Sequence, residues 1–130
     1  MTAARQVNDG KPELVLNQVR RQMDRFKRPV VACLGLSYKP DIDDLRESPA
    51  LHVTAQLAED NVNLIVVEPH VAALPGSLAG RPNVEWKSFE EAIREADIIV
   101  LLVGHTAFKD APRDVLLSRI VIDTVGLWQE

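Results

Sequence analysis

The feature that most constrains the fold of this chain is a series of short apolar runs, most of them separated by segments with helical signals. The runs are Val30 to Leu36, NLIVVEP at 63–69, VEW at 84–86, DIIVLLV at 97–103 and RIVIDTVG at 119–126. Apart from the brief VEW, none of them alternates apolar with polar residues, as a strand with one wet face would. A strand rich in Val, Ile and Leu throughout is covered on both faces, which is the condition of a parallel sheet between layers of helices.

Helical segments fill the intervals. Pro12 suits a first turn, and Leu14, Val15, Val19 and Met23 share one side of a helix predicted over 12–26, with Leu16 and Phe26 near its edges. Pro29 ends it. Ser48 and Pro49 form an N-cap and N1 pair for a helix running towards Asn61. Residues 70–82, with Pro75, Gly76, Gly80 and Pro82, read as loop. Ser88 caps FEEAIREA, whose acids lie in the first turn where the helix dipole favours them. A short helix is expected near 113–118. With right-handed crossovers, the result is an α/β, Rossmann-like three-layer domain with a mostly parallel sheet of about five strands, preceded by a helix. No internal repeat or low-complexity segment interrupts the pattern.

Composition excludes several classes of function. A net charge of −4 is opposed to a nucleic-acid partner, which needs a basic face. The basic cluster Arg20, Arg21, Arg25, Lys27 and Arg28 reads as the solvated face and last turn of the first helix. A single cysteine, Cys33, allows no internal disulfide. Buried in an apolar strand, it reads as an inert small hydrophobe. IIVLLV at 98–103 is too short to span a bilayer, so no membrane association is expected. The first residues lack a signal-type apolar core, and a cytoplasmic location is expected.

In such a sheet, ligands bind beyond the carboxyl ends of the strands, where strand order reverses. Four segments reach that edge: the turn after the first apolar run, Glu68-Pro69-His70, Gly104-His105, and Asp123 to Gly126. The first is unusual. Six charged residues fall within the nine positions Lys39 to Glu47. The turn is no dinucleotide fingerprint, because Leu36, Ser37, Tyr38 and Lys39 follow Gly35 without a second or third glycine. Lys39 and Arg46 are discrete cations suited to phosphates or carboxylates. They equally suit a solvated loop in which they neutralise Asp41, Asp43, Asp44 and Glu47. Calcium is not expected, since Leu45 falls where an EF-hand needs its third ligand. His52, His70 and His105 show no metal-ligand spacing, and no metal site is expected. His105 reads as a loop contact, and Trp86 and Trp128 as packing residues.

The wording of this edge is itself distinctive. GLSYKPDIDDLRESPAL, VVEPH, ADIIVLLVGHTAF and VIDTVGLW together resemble the UDP-glucose/GDP-mannose dehydrogenase family, in its C-terminal UDP-sugar-binding domain. ARQVNDGKPELV, from Ala4, resembles the family's linking helix. The resemblance implies a division into the end of a linking region, 1–28, and a UDP-sugar-binding domain, 29–130. The DDLRESPA wording looks most like the UDP-N-acetyl-D-mannosamine dehydrogenase branch; UDP-glucose and UDP-N-acetylglucosamine 6-dehydrogenases are near alternatives. Such enzymes oxidise a sugar C6 alcohol to a carboxylate with two NAD through a cysteine thioester. The acidic sugars enter cell-envelope polysaccharide.

Matched position by position, the resemblance implies that Tyr38 and Lys39 contact the UDP-sugar. It implies that Arg46 reaches NAD held by an N-terminal domain. Val125 stands where the family often has a basic residue. The resemblance places no catalytic residue in this chain: Cys33 precedes the glycine of the turn and does not match the family's nucleophile. Implied partners are the N-terminal and central domains of the same enzyme, as a homodimer. The chain then reads as an isolated, inactive domain, from a cloned fragment or a truncated gene; a non-catalytic nucleotide-binding or assembly module is the alternative.

Overall fold

A computed structural model describes residues 4–5 and 11–128. In chain order the elements are β1 (Ala4–Arg5), α1 (Pro12–Met23), β2 (Val30–Leu34), α2 (Pro49–Glu59), β3 (Asn63–Val67), β4 (Val84–Trp86), α3 (Phe89–Glu95), β5 (Ile98–Leu101), α4 (Arg113–Leu117) and β6 (Ile120–Asp123). A 3₁₀ turn, Thr106–Phe108, follows β5. The strands form one sheet in the order β1-β6-β5-β2-β3-β4, and every pairing is parallel. The chain builds outward from β2 to β3 and β4, then returns to lay β5 on the other side of β2. Strand order therefore reverses between β2 and β5, and the expected α/β, Rossmann-like architecture is the one observed.

Two-residue periodicity explains why the strands read as unbroken apolar runs. Val31 and Cys33 of β2, Leu64 and Val66 of β3, and Ile98 and Val100 of β5 face one way, against Val15, Leu16 and Val19 of α1 and Val53 and Leu57 of α2. Ala32 and Leu34, Ile65 and Val67, and Ile99 and Leu101 face the other way, against Ala92 and Ile93 of α3, Phe108 and Leu116. In these central strands both faces are dry, so the positions that face the helices are apolar. Helix α1 is thus one of the covering layers. On its surface, Arg20 pairs with Asp60 at 2.7 Å, both side chains well exposed, a contact worth at most about 1 kcal/mol.

Ser48 and Ser88 both act as side-chain N-caps. Ser48 Oγ accepts from Leu51 N at 3.2 Å at the start of α2. Ser88 and Glu91 form a complete capping box at the start of α3. Element ends are shorter than their apolar runs, each for a visible reason. Helix α1 stops at Met23 rather than residue 26, because Arg25 N and Phe26 N turn back to carbonyls three residues earlier. Strand β5 ends at Leu101, where Leu102 N and Val103 N both donate to Leu34 O. The reading of Ala4 onward as helix is corrected: Ala4 and Arg5 pair in register with Ile122 and Asp123 as a sixth, edge strand, and the helix begins at Pro12. Trp128 packs as expected, its indole N–H donating to Phe108 O at 2.7 Å; Trp86 is 38% exposed.

Candidate ligand-binding site

The turn after β2 is closed from behind. Gly35 has φ +97°, and a Cβ there would stand 2.6 Å from Val103 Cβ, inside any tolerable contact. The glycine lets the turn press against the end of β5. It leaves no cradle for a pyrophosphate. The next two amides, Leu36 N and Ser37 N, donate to Glu68 Oε1 at 2.7 and 3.1 Å. In a glycine-rich phosphate loop such N–H groups face the ligand; here a buried carboxylate of the protein engages them. The residues of this chain therefore do not fit a self-contained dinucleotide site.

Glu68 is the centre of a buried polar cluster. Its Oε2 accepts from His70 N at 2.9 Å, and His105 Nε2 lies 2.9 Å from Oε1. His105 is wholly buried. Its Nδ1 accepts the Asp41 amide at 2.8 Å, so in a neutral ring the proton is on Nε2, directed at Glu68, with Ser37 Oγ 3.3 Å away. Burial by itself would raise the Glu68 pKa. The hydrogen bonds from His105, Leu36 N and His70 N outweigh that and hold it below the ordinary glutamate value.

Asp41 completes the attachment. Its carboxylate accepts from Thr106 N at 2.8 Å and Thr106 Oγ1 at 2.7 Å, which lower its pKa. It holds a left-handed φ of 63°, a conformation that Asp adopts more readily than most residues. At the loop's base, Ser48 Oγ donates to Leu36 O at 2.6 Å, and Tyr38 N donates to Asp44 O at 2.8 Å. The charged stretch is thus a closed loop tied at its base and at its tip.

In front of this loop, over the reversal point between β2 and β5, lies a cleft of ≈ 420 Å³. Tyr38, Pro40 and Pro49 line one side, and Gly104, Val125 and Leu127 the other; among the described residues none that lines it is charged. The Val125–Leu127 wall is held by Asp123, whose buried carboxylate accepts from the amides of Val125, Gly126, Leu127 and Trp128 at 2.7–3.2 Å.

The three residues singled out from the sequence occupy different places. Tyr38 lines the cleft and is half-exposed. Lys39 is exposed beside it, with Nζ 5.8 Å from the Tyr38 ring centroid; it forms no ion pair among the described residues. Arg46 belongs to a separate shallow recess with Tyr38, Asp44 and Glu47. Its guanidinium makes a two-pronged contact with Asp44 at 3.0–3.1 Å while remaining 89% exposed. That contact draws the Asp44 pKa down to about 2. Of the two readings of the charged stretch, neutralisation within the loop describes Arg46 as it stands; Lys39 is directed to no carboxylate.

Sequence reasoning did not foresee the cluster behind the loop. Asp41, His70 and His105 converge, with ligand-capable atoms within 4.8 Å of one another. They do not offer a ready cation site, because both ring nitrogens of His105 and both oxygens of Asp41 already hold hydrogen bonds. The available signal was position: Glu68, His105 and Asp123 all end or follow strands at one edge of the sheet. Cys33 is fully buried and its thiol pKa is pushed up to about 12, chiefly by desolvation, as expected for an inert thiol.

Comparison with known proteins agrees with this geometry. Residues 32–130 match the model of the UDP-glucose/GDP-mannose dehydrogenase family, UDP binding domain. The chain is 50% identical over 126 residues to an NDP-N-acetyl-D-galactosaminuronic acid dehydrogenase of Ralstonia solanacearum, covering 96% of this chain and 29% of that protein. It is 41% identical over 116 residues to a UDP-N-acetyl-D-mannosamine dehydrogenase of Campylobacter jejuni, covering 88% and 28%. A solved UDP-N-acetyl-mannosamine dehydrogenase of Staphylococcus aureus superposes with TM-score 0.74 at 24% identity, over 95% of this chain and 29% of that one. The chain thus spans less than a third of the length of these relatives.

Proposed function

Given that the chain belongs to the UDP-glucose/GDP-mannose dehydrogenase family, matching its UDP-binding domain, we propose that it forms the UDP half-site of an NAD-dependent nucleotide-sugar 6-dehydrogenase. The observation that carries this reading is the cleft over the reversal point, uncharged among its described lining residues, with Tyr38 on its wall and beside it the Lys39 ammonium, which has no ion pair among the described residues. An apolar, aromatic-edged cleft suits a nucleoside, and an adjacent cation suits a diphosphate. Within the intact enzyme, residues 1–28 are the end of the linking region and 29–130 the nucleotide domain.

In this reading Tyr38 and Lys39 bind and orient the UDP-sugar, so that its C6 is presented to a nucleophile and hydride acceptor supplied by other domains. Their contribution is placement. NAD supplies the oxidant when bound. This chain lacks the fit for it, and Arg46, exposed on its recess, is the group that reaches towards the dinucleotide from across the domain boundary. In this reading the chain alone carries out no oxidation, and Cys33, enclosed in a dry strand with its pKa pushed up to about 12, does not serve as a nucleophile. Among the described residues no helix is long and apolar enough to cross a membrane; a cytoplasmic homodimer supplying acidic sugars for polysaccharide completes the proposal.

The preferred substrate is UDP-N-acetyl-D-mannosamine, oxidised to the uronate. A second reading has a specific observation in its favour: the 50% identity to a dehydrogenase named for N-acetyl-D-galactosaminuronic acid. Both readings share a nucleotide carrying a 2-acetamido sugar. Calorimetric titration of this chain with UDP and with NAD tests the half-site. Binding of UDP without NAD is expected; failure to bind UDP overturns it.

A further inference from the structure

We propose that His105 is a positioning residue for the ligand-binding loop, acting as a neutral ring protonated on Nε2 that suspends Asp41, and through it Tyr38 and Lys39, from the buried Glu68 carboxylate. The inference rests on the nucleotide reading above.

The geometry leads to this role by connectivity. Tyr38 and Lys39 sit between two anchored points, Ser37 and Asp41. Ser37 N is held by Glu68 Oε1, and Ser37 Oγ donates forward to Lys39 O at 2.7 Å. Asp41 N is held by His105 Nδ1. Glu68 is itself the partner of His105 Nε2. Both anchors of the three-residue stretch Tyr38-Lys39-Pro40 therefore meet at one carboxylate, one directly and the other through the imidazole.

The two ring bonds are not interchangeable. Nδ1 must accept, because its partner is an amide N–H; Nε2 must donate, because its partner is a carboxylate. The opposite tautomer would set an N–H against the Asp41 N–H and a lone pair against Glu68. Glu68 from the end of β3, Asp41 and Ser37 from the loop, and His70, with its ring centroid 4.6 Å away, are the polar groups facing the ring. Phe108 closes the remaining side edge-on at 5.4 Å. With no solvent reaching His105, neither bond has a water to replace it, and the ring has no room to turn over.

Two substitutions separate the bonds. In His105→Asn the side-chain oxygen falls near the Nδ1 position and can still accept from Asp41 N. In His105→Gln the side-chain nitrogen falls near the Nε2 position and can still donate to Glu68, but Asp41 loses its acceptor. If the bond to Asp41 positions the loop, UDP affinity should fall at least about tenfold in His105→Gln and by no more than about threefold in His105→Asn. Thermal stability of each variant is measured alongside, because a merely structural role would weaken both in proportion to their stability.

Equal loss of affinity in the two variants, or loss only in His105→Asn, overturns the proposal. Unchanged affinity in both also overturns it while leaving the nucleotide reading standing. Failure of the unsubstituted chain to bind UDP overturns that reading itself, and this inference with it. Should a variant not fold, ¹⁵N NMR of the unsubstituted chain decides. A pyrrole-type Nε2 and a coupling across the hydrogen bond from Asp41 N to His105 Nδ1 are expected; the opposite tautomer would exclude the arrangement.

Discussion

Gly35 and Val103 are in a contact that no side chain at position 35 could share: a Cβ on the glycine would stand 2.6 Å from that of the valine. This closeness makes the end of β2 and the end of β5 one rigid floor under the cleft. It also means the glycine serves packing rather than phosphate approach. Gly35→Ala combines the clash with an unfavourable left-handed φ, and a loss of about 3 kcal/mol is expected. Urea denaturation checks it: the midpoint should fall with the slope unchanged.

Glu68 links stability to pH. Its pKa in the fold lies below the ordinary value of 4.5, so the folded state favours the charged form. The stabilisation is present above the unfolded value and is lost as pH falls through the folded one. Glu68→Gln should cost about 1–3 kcal/mol at neutral pH, because the amide cannot accept at both of its ends. It should also flatten the acid limb of the stability profile below about pH 4.5. Thermal unfolding of both proteins from pH 7 to 3 measures both effects.

Lys39 lies beside the cleft and pairs with no carboxylate among the described residues. Lys39→Ala should weaken UDP binding at least about tenfold, or about 1.4 kcal/mol. In the intact enzyme the loss should appear in KM for the nucleotide-sugar. Titration of the variant with UDP is the direct check, and unchanged affinity would remove Lys39 from the site.

Asp123 holds four consecutive amides, two of them those of the cleft-lining Val125 and Leu127. Asp123→Ala leaves them without an acceptor and should cost about 3 kcal/mol. Because Val125 and Leu127 would lose their fixed position, UDP affinity should fall as well. Calorimetry under conditions where the variant remains folded separates the two effects.

Cys33 provides a silent probe of unfolding. With its thiol fully buried and its pKa pushed up to about 12, it should not react with an aromatic disulfide reagent in the native protein at pH 8. Reaction should appear only as denaturant opens the sheet. Rapid native labelling would mean that β2 is not covered as described.

The sequence by itself determined the layered sheet, because central strands covered on both faces must be apolar along their length and Ser48 and Ser88 mark the starts of two helices. It also located the edge that carries the candidate site, since Gly35, Glu68, Gly104 and Asp123 each fall at the end of a run. The tertiary structure decided which polar groups meet there. Asp41 and His105 are 64 residues apart, and Glu68 and His105 are 37 apart; their meeting depends on β3 and β5 flanking β2, which no local pattern encodes. The same holds for Ala4–Arg5, a strand only because β6 offers an open edge. The direction of Arg46 towards Asp44, rather than into the cleft, likewise follows from the loop's closure. Apolar burial is written residue by residue, whereas a buried hydrogen bond belongs to a pair of residues, and the fold chooses the partner.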